Sequence, residues 1–130
     1  MNRYKQREQA FILIFQSLFG GQTPDDIIES FSEYGEDIGD YSKRVFLGVY
    51  EKADELDSII SDYSTTWKLS RISKVNLTVL RLAVYEIKNE NDVPDSVAIN
   101  EAVELAKKYS SKEDSAYING VLGAYSRSKA

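Results

Sequence analysis

Apolar residues recur at helical spacing along almost the whole chain. In "AFILIFQSLF" (10–19), they form a broad stripe, and Gly20-Gly21 ends this first helix because glycine accepts the left-handed conformation at a helix C-terminus. Thr23 then caps a second helix, with Pro24 at its first position and acidic residues in its first turn. This second helix is predicted to end near Tyr34.

The central part of the chain contains the longest periodic runs. Residues 41–63 keep their apolar positions on one helix face and predict a single long helix. The stretch "STTWKLSRIS" (64–73) breaks this pattern and predicts a connection with at most one helical turn, whose Trp67 we expect to fill the core. Residues 74–87 are apolar nearly all round, which is typical of a central helix buried on several sides.

Two further helices complete the pattern. Residues 96–109 form an amphipathic helix after the loop "ENDVPD", and the last helix begins near residue 112. Its cap is predicted at Ser110, with Glu113 three residues on, or at Ser111, with Asp114 three residues on. The fold class is therefore all-α, with six to seven helices and no convincing strand.

Length and composition limit the function classes. At 130 residues and 42% hydrophobic content, the chain is long enough for one domain with its own core. Because it has no Cys and no His, we expect no disulfide, no zinc site and no Ser-His or Cys-His nucleophile. No apolar run approaches the roughly 20 residues of a membrane span, and the N-terminus runs into a helical pattern without a cleavage site. We therefore expect a cytoplasmic protein.

The net charge of −5 is unevenly distributed. Residues 25–57 hold eleven acidic and three basic side chains, whereas residues 1–20 hold three basic and one acidic. A net-acidic chain can still bind RNA where its basic groups converge on one face.

No pattern in the sequence predicts a catalytic residue, a cofactor site or a metal site. The dispersed glycines do not form a phosphate-binding loop. The carboxylate pairs Glu86 with Glu90 and Glu101 with Glu104 have no accompanying His and are interpreted as solvated helix faces. Glu104 is further expected to pair with Lys108, four residues on.

Arg3, Lys5 and Arg7 alternate at the start of the first helix. Basic residues there oppose the helix dipole, so they cost some stability. Two interpretations stay open on these charges alone: an anion-binding segment, and a solvated terminus without a function.

Several segments together resemble the NusB family of bacterial transcription antitermination factors. These are "VLRLAVYEI" (79–87), "DVPDSVAINEAVELAKKY" (92–109) and "DSAYINGVL" (114–122), with "KQREQAFILIFQ" (5–16) at the N-terminus. The resemblance covers essentially the whole chain, and the spacing within "INEAVELAK…NGVL" is specific. It implies a single domain over residues 1–130 with two packed helical sub-bundles, approximately 1–64 and 70–130.

The resemblance also implies a function. Members of the family bind the boxA element of ribosomal-operon leader RNA together with NusE, a small-subunit ribosomal protein, and join the antitermination complex on RNA polymerase. Neither catalysis nor a cofactor is involved. Homodimers occur in the family, and the sequence leaves the oligomeric state open.

Carried over to this chain, the resemblance implies RNA contacts in two regions, the basic segment and the loop before the last helix, with the turn before the central helix, Ser73 and Lys74, as a further candidate. The residues are Arg3, Lys5, Arg7, Lys74, Lys112, Glu113, Asp114 and Tyr117. Lys112 can reach a phosphate, Glu113 or Asp114 can accept from a base amino group, and Tyr117 can stack on a base. Alternatively, Tyr117 is a half-buried aromatic at the junction of the sub-bundles. Gly120 is expected to allow the close approach of a neighbouring helix.

Two other functions fit the sequence. In the first, the protein is a helical scaffold whose acidic segment 25–57 binds a basic protein, and RNA is held mainly by that partner. A related RNA-binding domain also precedes the catalytic domain of some ribosomal-RNA cytosine methyltransferases, but a free-standing chain ending at Ala130 does not favour that interpretation.

Overall fold

The computed structural model of the protein describes residues 1–129, which contain seven α-helices and no strand. The helices are α1 (Arg3–Ser17), α2 (Pro24–Glu33), α3 (Asp40–Glu51), α4 (Ala53–Tyr63), α5 (Lys74–Asn89), α6 (Asp95–Tyr109) and α7 (Lys112–Ser128). A single 3-10 turn, Leu69–Arg71, lies in the connection between α4 and α5. The predicted all-α class and the predicted connection are confirmed.

The helix ends follow local sequence signals. The Thr23 side chain accepts from the backbone N–H of Asp26, whose carboxylate accepts from the Thr23 N–H, so α2 begins with a reciprocal capping box. Gly20 and Gly35 adopt positive φ angles of 73° and 86° after α1 and α2. Of the two caps predicted for α7, the structure has Ser111, whose Oγ accepts from the Asp114 N–H at 3.1 Å.

The prediction of one helix over residues 41–63 is wrong. Lys52, with φ −102° and ψ 16°, separates α3 from α4, although the Leu56 N–H still donates to the Lys52 carbonyl at 2.9 Å. Helix α3 contacts α1 and α5, whereas α4 contacts α5 and α7. The break therefore lets each half follow different neighbours, which a continuous apolar stripe cannot reveal.

Helix α5 is the centre of the fold, as its sequence predicts. It contacts α1, α3, α4, α6 and α7, and its residues from Thr78 to Leu80 and from Leu82 to Ile87 are buried. Helices α1–α3 contact one another, as do α5–α7, while α4 contacts members of both groups. The division into sub-bundles at residues 64–70 stays a prediction.

The two glycines that matter for packing differ from the expectation. Nothing lies within 4 Å of a Cβ built at Gly120, which is exposed, so the expected close approach of a helix at Gly120 is wrong. The close approach occurs at Gly48 instead, where a Cβ would overlap the ring of Tyr85. None of the helices in residues 1–129 has the length and apolar character needed to cross a membrane.

Candidate RNA interface

The first two cations of the basic segment are available to a ligand. Arg3 and Lys5 are exposed on the first turns of α1, whose N-cap Asn2 accepts from the Lys5 backbone N–H at 2.8 Å. The Arg3 guanidinium lies 3.8 Å from the centroid of the Tyr41 ring and 3.9 Å from the carboxylate of Asp92. Its side chain nevertheless keeps 43% of its surface exposed.

Arg7, the third predicted cation, is buried. Its Nε lies 2.9 Å from both carboxylate oxygens of Glu86, and its Nη2 lies 2.9 Å from Oε2. The Glu101 Oε2 lies 4.0 Å from Nη1. With 4% of its surface exposed, Arg7 holds α1 to α5 and α6, and this placement does not fit a direct contact with RNA.

The interpretation of Glu86 and Glu90 as a solvated face is wrong. Glu86 is 1% exposed and Glu90 7% exposed, and each is paired with an arginine. Burial raises the pKa of the Glu86 carboxyl, an effect that Arg7 and the donating Tyr41 hydroxyl oppose. The burial and pairing of these two carboxylates could not be predicted from the sequence, because their arginine partners are distant along the chain.

The pairing predicted between Glu104 and Lys108 also differs. Glu104 lies 3.6 Å from Lys107 instead. The Lys108 ammonium donates to Glu8, which also accepts from the Tyr109 hydroxyl at 2.9 Å. These contacts connect α1 to the end of α6.

Arg44 is a further cation that sequence reasoning missed. It lies 5.1 Å from the Tyr41 ring centroid, pairs with Glu90 at 2.6 Å, and keeps 56% of its side chain exposed. Together with Met1, Arg3 and Tyr41 it borders an open hollow of about 460 Å³. Arg44 stands within the acidic segment of the sequence, so only the fold reveals its position beside the basic segment.

The second predicted region lies at the start of α7. Lys112 and Glu113 are exposed, whereas Asp114 is half-buried and accepts a hydrogen bond from the Ser110 hydroxyl. Lys74 is the exposed first residue of α5, with its Nζ 5.8 Å from the centroid of the Phe19 ring.

A cleft joins this region to the connection before α5. It has a volume of about 150 Å³ and is lined by Trp67, Arg71, Ile72, Ser73, Asn76 and Asp114. Trp67 is 49% exposed, so its predicted role as core filler is wrong. A sequence signal for this cleft exists: residues 63–85 contain four basic residues and no acidic one, in an otherwise acidic chain.

Tyr117 occupies a different position from Asp114. It is half-buried, its hydroxyl lies 2.6 Å from the Ser64 Oγ, and burial raises the pKa of its hydroxyl. It borders a hollow of about 280 Å³ together with Gly120. The half-buried position agrees with the alternative interpretation of Tyr117, whereas the junction of the sub-bundles and the stacking on RNA stay predictions.

The two predicted regions lie apart on the surface. Helices α1 and α5 run antiparallel, since Arg7 meets Glu86 while Phe19 meets Lys74. Ten residues separate Glu86 from Asn76, which corresponds to about 15 Å along α5. The regions therefore do not form one pocket, and a single ligand that contacts both must be extended.

An apolar groove lies between α1, α5 and α6. Phe11, Ile12, Phe15, Val75 and Tyr109 line a hollow of about 260 Å³ there. Ile12 is 36% exposed, Tyr109 37%, and Phe19, one turn beyond Phe15, 61%. Exposed aromatic and aliphatic side chains at this density are typical of a protein-binding surface.

Within residues 1–129, no group of three or more His, Cys, Asp or Glu side chains is placed to hold a metal ion. The arrangement instead offers exposed cations, an aromatic ring and acceptor groups, which together suit the binding of an extended polyanion.

Comparisons with known proteins agree with the sequence resemblance. The model of the NusB family matches residues 4–127. A transcription antitermination protein NusB from Clostridium botulinum (strain Kyoto) is 41% identical, over 95% of this chain and 98% of that protein. The protein of the same name from Clostridium acetobutylicum is 43% identical, over 95% and 93%.

Solved structures give the same result. The chain is similar to NusB of T. maritima, with a TM-score of 0.86 and 32% identity over 98% of this chain and 92% of that one. It is also similar to a chain in the structure of the antitermination factors NusB and NusE in complex with dsRNA, with a TM-score of 0.84 and 25% identity over 98% and 99%. The chain belongs to the NusB family.

Proposed function

We propose that this protein is a non-catalytic transcription antitermination factor of the cytoplasm. With NusE, it binds the boxA element of ribosomal-operon leader RNA and joins the antitermination complex on RNA polymerase. Family membership supports this function, as do the names of the curated relatives and the similarity to the solved complex of NusB, NusE and dsRNA.

The observation that carries the proposal is the exposure of the predicted cations. Arg3, Lys5, Lys74 and Lys112 are all exposed on a chain of net charge −5. Of the ion pairs within residues 1–129, only the 3.9 Å contact of Arg3 with Asp92 involves any of these four. Such cations can exchange the counterions of an RNA backbone without first breaking strong internal pairs.

The apolar groove is the surface we assign to NusE. RNA phosphates gain little from a groove lined by Phe11, Phe15 and Val75, whereas a protein partner buries such a surface favourably. The groove adjoins Lys74 through the contact with Phe19, so protein and RNA would meet at the start of α5. This arrangement would let NusE raise the affinity for RNA.

The alternative function is a protein-binding scaffold with little RNA affinity of its own. The acidic segment supports it, since residues 25–57 carry a net charge of −8 on α2, α3 and the start of α4. A basic partner would bind this surface and its affinity would fall with salt.

Titration of a fluorescently labelled boxA RNA, with and without NusE at several salt concentrations, separates the two functions. A variant with Arg3→Ala and Lys5→Ala tests the basic segment. Lys43→Ala with Arg127→Ala is its matched control, because these cations are also exposed but lie on α3 and at the end of α7. Ile12→Lys tests the groove.

We expect the basic-segment variant to bind RNA more weakly. The slope of log K for RNA against log salt concentration should be about 1.4 smaller in magnitude, because two phosphate contacts on a single strand are lost. The control should match the wild type, and Ile12→Lys should lose the gain from NusE while keeping the affinity for RNA alone. Absence of RNA binding in every mixture, with NusE still bound, would contradict the proposal and favour the scaffold.

A further inference from the structure

We infer that RNA binding at the start of α1 is coupled to the uptake of one proton by the buried carboxylate of Glu86. A single aromatic side chain, Tyr41, connects the two places. The Arg3 guanidinium lies 3.8 Å from the centroid of its ring, and its hydroxyl donates to Glu86. This inference rests on the proposed function and deepens it, because it adds a regulation by pH to the same binding site.

Glu86 is the group in this cluster whose protonation can respond to a bound anion. The residue is 1% exposed, so water contributes little to stabilising its negative charge. Burial raises the pKa of the Glu86 carboxyl, whereas the Arg7 guanidinium, the Tyr41 hydroxyl and the charge of Arg3 lower it. The charged form therefore depends on these three neighbours, and one of them, Arg3, lies at the surface with 43% of its side chain exposed.

The charges of this cluster are balanced while no anion is bound to Arg3. Arg3 and Arg7 supply two positive charges, and Glu86 and Glu101 supply two negative charges. A phosphate bound to Arg3 adds a negative charge beside the Tyr41 ring, which disfavours the ionised form of Glu86. A proton taken from solvent by the Glu86 carboxylate restores the balance, and Glu101, 4.0 Å from the Arg7 guanidinium, remains as a carboxylate near Arg7.

Other charged side chains on the elements packed against α5 have partners of their own. These are Arg44 of α3 with Glu90, Glu55 and Asp57 of α4 with Lys88 and Arg81, Lys108 of α6 with Glu8 of α1, and Lys129 after α7 with Asp95 and beside the Tyr125 ring. Asp92 lies 3.9 Å from Arg3, but its side chain is 69% exposed, so solvent already stabilises its charge. The uncompensated change therefore falls on Glu86.

The composition of the chain makes this coupling measurable. It has no His, the side chain that ordinarily titrates between about pH 5 and 8. Apart from the α-amino group, a protein group that makes RNA binding depend on pH in this range must therefore have a shifted pKa. Glu86 is a carboxyl whose pKa is raised in this way.

Titration of labelled boxA RNA with the full chain between about pH 5.5 and 8, at constant ionic strength, tests the coupling. The wild type should bind more tightly as the pH falls, because the RNA-bound form holds more protons than the free form. We expect a gain of about fivefold over this range, the lower end of the coupling that is typical between two sites.

The variants identify the group that takes up the proton. Glu86→Gln imitates the protonated carboxyl, so at the highest pH it should bind RNA more tightly than the wild type, with an affinity independent of pH. Partial unfolding cannot produce such a gain. Arg3→Gln should lose both affinity and pH dependence. The matched control is Glu90→Gln, a carboxylate 7% exposed at the end of α5 that pairs with Arg44, and it should keep the pH dependence.

Two further measurements do not depend on the folding of Glu86→Gln. Calorimetry of the wild type near pH 6, in two buffers of different ionisation enthalpy, should show the uptake of a fraction of one proton for each RNA bound. Tyr41→Phe keeps the ring beside Arg3 but removes the hydroxyl donor to Glu86, so its affinity for RNA should begin to rise at a higher pH than that of the wild type.

Three results would overturn the coupling. Equal RNA affinity at every pH without proton uptake, while Arg3→Ala with Lys5→Ala still weakens binding, would leave the proposed function intact. A pH dependence that persists unchanged in Glu86→Gln would assign the proton to another group. If the protein binds no boxA RNA at any pH, with or without NusE, the proposed function fails together with the coupling.

Discussion

Replacing Arg7 by Met should destabilise the protein strongly without changing the number of RNA phosphates it contacts. The substitution keeps a long side chain but removes the guanidinium that satisfies Glu86. Glu86 is 1% exposed and would be left with the Tyr41 hydroxyl as its donor. The prediction separates the structural role seen for Arg7 from the RNA contact expected from its sequence position.

The magnitude follows from the burial of the pair. Removing one partner of a buried ion pair typically costs about 3–5 kcal/mol. The remaining Tyr41 donor and protonation of Glu86 limit this cost, so we expect about 3 kcal/mol. For a chain of 130 residues, this corresponds to a fall in Tm of about 12 °C.

The pH dependence gives a further check. Burial already raises the pKa of Glu86, and loss of Arg7 should raise it further. A carboxyl whose folded pKa is raised is more favourable in its protonated form, so the folded variant gains relative stability as pH falls. The difference in stability between wild type and Arg7→Met should therefore be smaller at pH 5 than at pH 8.

Urea unfolding followed by circular dichroism, together with the salt titration of RNA binding, measures both effects. The double variant Arg7→Met with Glu86→Leu is the control and should recover part of the lost stability, because no unpaired charge remains while the buried Tyr41 hydroxyl loses its acceptor. A loss of less than about 1 kcal/mol in Arg7→Met, together with a lower salt slope for RNA, would refute the structural assignment.

Three further predictions concern stability. Gly48→Ala should lower the free energy of unfolding by about 1–3 kcal/mol, because the new methyl group overlaps the Tyr85 ring. This loss should exceed the gain from the better helix propensity of alanine, and an unchanged urea unfolding curve would contradict the packing. Gly120→Ala, where nothing lies within 4 Å of the new Cβ, should stabilise by up to about 1 kcal/mol in the same assay, and a clear loss would show that the space is filled. The hydrogen bond from Lys108 lowers the pKa of Glu8, so Glu8→Gln should be less stable than wild type at pH 7. The difference in stability should begin to shrink as pH falls below the ordinary value of 4.5 and disappear below the lowered pKa of folded Glu8; a difference that does not change with pH would mean that charge is not the cause.

The helices could be predicted because their signals are local. Periodic apolar positions and the caps at Thr23 and Ser111 identify five of the seven helices of residues 1–129, α1, α2 and α5–α7, and place α3 and α4 in one helical run. The break at Lys52 could not be predicted, since neither Pro nor Gly marks it and it reflects the different neighbours of α3 and α4. Tertiary packing decides such breaks.

The candidate site was predictable only in part, because its residues depend on distant partners. Arg3, Lys5, Lys74 and Lys112 are exposed as expected, but Arg7 is neutralised by Glu86, 79 residues away. A sequence pattern gives charge and spacing and does not show which cation is buried by a distant carboxylate.

In the cleft beside the start of α5, the error is the reverse, because a residue expected to be buried is exposed. Trp67 was expected in the core, since a lone tryptophan usually contributes large apolar area there. The absence of acidic residues between 63 and 85 was the available signal for an anion-facing surface, and Asn76 becomes notable only once its burial is known.

Chemical-shift mapping of a boxA RNA on the nitrogen-15-labelled protein in the presence of unlabelled NusE tests the central claim most directly. We expect the RNA-dependent shifts to concentrate in two regions, residues 2–6 and the surface formed by residues 67–76 and 110–114. Shifts confined to the acidic helices α2 and α3, or none attributable to RNA, would contradict the account.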